Sequence, residues 1–126
     1  IPCGMDMTDS LDILEPRDWR ELRDQFQNVE PFPSISIDNF LTAEAACGIA
    51  ESYPTYSEAH EMGMEFLPVN SKKKIQVTEE EKLPEPVAGL SRMLASSEFR
   101  TCLTEMTGIP SLRWDDHLGG GGMHSL

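Results

Sequence analysis

Cysteine is scarce in this chain: Cys3, Cys47 and Cys102 are odd in number, far apart, and form no CxxC pair. That spacing excludes a disulfide scaffold and a structural zinc site, and it points to a reducing compartment. Aromatic residues are few as well, with 2 Trp, 2 Tyr and 5 Phe, which sets a modest core. No apolar run is long enough to cross a bilayer, and no basic segment leads into one. The expectation is a soluble cytoplasmic protein without a membrane partner. Basic residues are missing above all from the first 66 positions, where 14 Asp and Glu face 3 Arg, a balance of −11 within a formal total of −12. A surface of that sign repels phosphate backbones, so nucleic acid is excluded as a partner class. Also absent are the phosphate loop, the spaced glycines of a dinucleotide fold, the GxSxG elbow, HExxH and any internal repeat.

What is present fits one small domain of 126 residues with one core. Residues 1–14 read as a loosely placed arm. Glu15-Pro16 opens a short helix, with Trp19, Leu22 and Phe26 as its apolar stripe. Pro31 and Pro33 end it, and the Ser-Ile-Ser-Ile alternation at Ser34–Ile37 predicts a half-buried strand. Asp38-Asn39-Phe40-Leu41-Thr42 turns the chain into a helix over 43–52, capped by Thr42. Residues 58–65 are compatible with a helical turn or two, weakened by Gly63, and Ile75-Gln76-Val77 with a strand entered from Lys72-Lys73-Lys74. Two amphipathic helices follow. Val87, Leu90 and Leu94 share a face of the first, and Phe99, Cys102, Leu103 and Met106 a face of the second, which Gly108 and Pro110 close.

The candidate chemistry is concentrated near the end. Asp115, Asp116, His117 and His124 flank four consecutive glycines, Gly119 to Gly122. Carboxylates and imidazoles are suitable donors for Fe(II), Mn or Zn, although adjacent residues on an extended backbone point to opposite sides. Capping, ion pairing and turn formation are the structural alternatives. Glycine loses the most freedom on ordering, so the tract is either a close-approach segment beside a ligand or a loose end.

Thr107-Gly108-Ile109, Leu112, Asp115, Leu118 and Gly120-Gly121-Gly122-Met123-His124 together resemble the segment preceding the metal motif of Fe(II)/2-oxoglutarate-dependent dioxygenases of the prolyl-hydroxylase-like branch. Asp38–Thr42, Lys73-Lys74 and the paired helices over 84–95 and 97–107 agree with it. Asp116 stands where that family has proline, Met123 where it has leucine, and the His-x-Asp pair is absent. The resemblance implies an α+β fold: a helical support region with part of the sheet of a double-stranded β-helix, of the jelly-roll or cupin-like kind. It divides the chain into an arm and short helix at 1–32 and a support portion at 33–126, truncated before the catalytic core; the opening Ile likewise suggests a processed or partial chain.

By the same resemblance a complete relative is an oxidoreductase holding Fe(II) and 2-oxoglutarate. It would use molecular oxygen to hydroxylate a peptide side chain or small molecule, or, in a related halogenase, to halogenate it. These 126 residues alone are expected to be inactive. Asp115, His117, Gly120, Gly121, Gly122 and His124 would line the substrate entrance, and none of them would be a catalytic, cofactor or metal ligand. The rival expectation is a non-catalytic acidic helical protein-interaction module, whose paired helices bind a partner groove or a second copy as a homodimer.

Overall fold

The computed structural model describes residues 11–66, 74–118 and 122–125. Among them are five α-helices: α1 (Trp19–Asn28), α2 (Ala43–Ser52), α3 (Tyr56–Met62), α4 (Glu85–Ala95) and α5 (Ser97–Thr107). Three short strands, β1 (Met64–Phe66), β2 (Lys74–Val77) and β3 (Met123–Ser125), form one antiparallel sheet in the order β1-β2-β3. No described helix is long and apolar enough to cross a membrane. The chain divides into two units: the described residues up to Ala46 with Arg92–Trp114, and Cys47–Ser91 with the described residues from Asp115 onward.

In the first unit α1 begins at Trp19 because Asp18 accepts hydrogen bonds from the backbone N–H groups of Arg20 and Glu21. Pro16 therefore lies before the helix, and a carboxylate, not the proline, sets its start. The helix is held against α5 by ring-edge contacts, with Trp19 and Phe40 both meeting Phe99 at 5.9 and 6.0 Å between centroids. Ser34–Ile37 forms no strand. Leu14 and Leu41 make an isolated antiparallel bridge instead, and Arg17 reaches the Asn39 carbonyl at 2.6 Å. Helix α5 is capped at its start by Ser96, whose hydroxyl accepts from the Phe99 N–H and donates to the Met93 carbonyl. It ends at Gly108, whose φ of +78° suits a left-handed cap.

In the second unit the central strand β2 carries the largest fully buried side chains, Ile75 and Val77. Val77, Leu83, Ala88 and Met123 form a cluster flanked by Val87 and Leu118. Glycine permits the strands to come this close. A Cβ at Gly63, just before β1, would lie 2.5 Å from the Gln76 carbonyl oxygen; one at Gly122, just before β3, would lie 2.5 Å from that of Val77. Gly122 also has φ +94°, which side chains rarely adopt.

This architecture corrects the expected fold. A double-stranded β-helix needs two facing sheets of several strands each, whereas the described residues supply one open sheet of three- and four-residue strands beside five helices. The apolar face of α5 is used internally, since Phe99 and Met106 are buried; on α4 Val87 and Leu90 are half-buried and Leu94 is exposed, while Ala88 and Met93 are the buried residues.

Gly122→Ala is expected to cost about 2–4 kcal/mol, combining a disfavoured φ with a backbone clash, and Gly63→Ala about 1–3 kcal/mol from the clash alone; urea unfolding measures both. The capping box of α3 has Thr55 N–H donating to Glu58 at 2.9 Å and Glu58 N–H donating to the Thr55 hydroxyl. Hydrogen bonds from the Thr55 backbone and then its side chain hold the Glu58 carboxyl below its ordinary range. Its contribution is present at neutral pH and lost as pH falls through that lowered value. The Thr55 amide shift is expected to titrate there, and Glu58→Gln to remove the step.

Candidate functional site

The acidic and histidine cluster lies in the second unit and begins as a turn. Asp115 Oδ1 accepts from the His117 backbone N–H at 2.9 Å, and the Leu118 N–H donates to the Asp115 carbonyl at 3.2 Å. Leu118 adopts φ +52° and packs against the cluster around Val77 and Met123. His117 and Asp116 stand in solvent, 90 % and 76 % exposed, with His117 Nε2 3.5 Å from the Asp116 carboxylate. An exposed pair of this kind contributes little. His124 is half-buried on β3, opposite Gln76, and its carbonyl accepts from the Tyr53 hydroxyl at 3.2 Å.

Of the nominated entrance residues, the structure joins Asp115 to His117 through one turn and places Gly122 and His124 at the sheet edge. Gly120 and Gly121 lie outside the described residues. Gly122 is glycine for a visible reason, its approach to the Val77 carbonyl.

The iron and 2-oxoglutarate expectation is overturned. A metal centre requires several donors converging on one point, and among the described residues no group of three or more His, Cys, Asp or Glu is so arranged. Among the same residues no polar or charged side chain is buried. The oxidoreductase and hydroxylase readings, with the dioxygenase resemblance behind them, fall with this geometry. Cys102 is no substitute nucleophile: burial foremost, then Glu105, pushes its thiol upward and keeps it protonated. No family model matches the chain, and neither a curated protein nor a solved structure does.

A different surface stands out in the first unit. Trp19 meets Phe99 near the starts of α1 and α5, while Gln27 Nε2 donates to the Thr107 carbonyl at 3.5 Å near their ends. The two helices therefore run the same way, and their C-termini share one end. Val29 follows α1 directly and Ile109 follows the Gly108 cap, 41 % and 52 % exposed. Phe32, between Pro31 and Pro33, is 64 % exposed. Neither helix has a basic residue in its last turn to answer its negative dipole end, although the Arg23 guanidinium lies near Gly108.

The segment after Gly108 is fastened by Arg100. Its Nε donates to the Ala95 carbonyl and its Nη1 to that of Leu112, both at 3.0 Å, and the guanidinium lies 4.6 Å from the Trp114 ring centre. Sequence periodicity did not reveal these residues. The signals were a Phe enclosed by two prolines, which no ladder can bury, and an arginine near a helix start, where the dipole disfavours it. Arg100→Ala is expected to cost about 2 kcal/mol and to alter Trp114 emission. Arg100→Lys, which cannot reach both carbonyls, is expected to recover under half of that in urea unfolding.

Proposed function

We propose that this chain is a non-catalytic, acidic protein-interaction module whose partner is a basic, partly apolar protein segment. The observation that carries the reading is the placement of the exposed Val29 and Ile109 at the shared C-terminal end of α1 and α5, with the exposed Phe32 three residues along the chain from Val29. Single exposed hydrophobics are ordinary, whereas neighbouring ones that share an end of two helices suit a partner surface. The formal charge of −12 supplies the second component, because it steers a cationic partner and opposes nucleic acid and anionic membrane. It also disfavours a second copy of the chain, which brings the same charge. The entrance role of Asp115, His117, Gly122 and His124 then gives way to a structural one, a turn and a sheet edge. The free thiols of Cys47 and Cys102 support a reducing, cytoplasmic setting.

Titration with an amphipathic Lys/Leu peptide and its Glu/Leu counterpart tests this reading, followed by tryptophan fluorescence at two salt concentrations. The basic peptide is expected to bind at least about tenfold more tightly at low salt. Phe32→Ser with Ile109→Ser is expected to weaken it by about tenfold. Equal binding of the two peptides, or full affinity in the double variant, would sink the proposal.

A further inference from the structure

We propose that Thr104 and Thr107 are positioning residues that hold Ile109 ready as the anchor of the partner surface, the side chain that enters the apolar face of a basic segment. The inference rests on the interaction reading and gives that surface its fixed point. Both polar groups of the Ile109 backbone are bound by side chains of α5. The N–H donates to the Thr107 hydroxyl at 3.2 Å, and the carbonyl accepts from the Thr104 hydroxyl at 2.9 Å. The Thr107 hydroxyl is itself fixed, because it donates to the Leu103 carbonyl at 2.7 Å. Before Ile109 stands the left-handed Gly108, and after it Pro110, whose ring confines the preceding residue to extended backbone. The isoleucine side chain is β-branched, so its first torsion has few choices.

All of this order serves a side chain that is exposed. Fixing a residue costs conformational entropy, which burial normally offsets. Ile109 recovers little of it within its own fold. A partner that covers Ile109 meets an apolar group whose ordering is already complete, and it binds without that part of the entropic cost. The helix end does not account for these bonds. Gly108, with its N–H donating to the Thr104 carbonyl, already closes α5, and the two hydroxyls act one residue further on.

The test reads order and binding separately in the full chain. It compares Thr104→Val/Thr107→Val, Thr104→Ser/Thr107→Ser, and the valine pair combined with Ile109→Ser. By 15N relaxation the Ile109 amide is expected to have an order parameter of about 0.85 in the native chain and the serine pair, and below about 0.6 in the valine pair. The valine pair is expected to bind the amphipathic Lys/Leu peptide about fivefold more weakly than the native chain, and the serine pair within about twofold of it. On the Ile109→Ser background the valine pair is expected to change nothing further. An Ile109 amide that is mobile in the native chain, or as ordered in the valine pair as in the native chain, would overturn the proposal. So would undiminished affinity in the valine pair, or the same loss with and without Ile109, which would show threonines that only stabilise the helix end. If the order parameters come out as expected but the native chain does not prefer the Lys/Leu peptide to its Glu/Leu counterpart, the interaction reading fails, and this inference with it.

Discussion

The close approach of two backbones to β2 is the constraint on which the second unit depends. Gly63 and Gly122 each stand where a methyl group would strike a β2 carbonyl, so both edge strands enter the sheet at the same end of the central one. That entry sets the register, with Met64 opposite Gln76 and Met123 opposite Val77. The register in turn places Met123 beside Val77, Leu83 and Ala88. A one-residue slip would turn every strand side chain to the other face. Three- and four-residue strands have few ladder bonds with which to resist slipping, and close-packed glycines supply what length does not.

The first unit rests on different physics. Phe99 collects the ring edges of Trp19 and Phe40, while Ser96 and Arg100, on either side of it, bind carbonyls at the start of the helix and beyond its end. One short stretch therefore provides the aromatic centre, the helix cap and the clasp. This arrangement leaves Val29, Phe32 and Ile109 exposed.

The helices were readable from sequence because their signals are local. Thr42, Ser96 and Gly108 act as caps where their chemistry requires, and Phe99 and Met106 recur at helical spacing. Sheet membership was less readable because it is decided at long range. Ser34–Ile37 has the alternation of a strand and no ladder partner, whereas β3 is three residues beside a glycine tract and pairs with a strand far back in the chain. The glycine-rich segment also supported a family resemblance that the fold does not bear out. Gly122, just before Met123 and His124, marks a backbone that passes close to the β2 carbonyl of Val77. Exposure at Phe32 and Ile109 depends on what the rest of the chain leaves uncovered, so periodicity could not assign it.

The first unit is discontinuous, and this affects how the chain emerges during synthesis. Phe40 is synthesised roughly 60 residues and Trp19 roughly 80 residues ahead of Phe99, or about 3–16 s at ordinary elongation rates. Through that interval the Cys47–Ser91 part of the second unit is made while the aromatic rings of the first wait without their centre. A chaperone that recognises exposed aromatic side chains would have its window there, and slow codons between Phe40 and Phe99 would widen it.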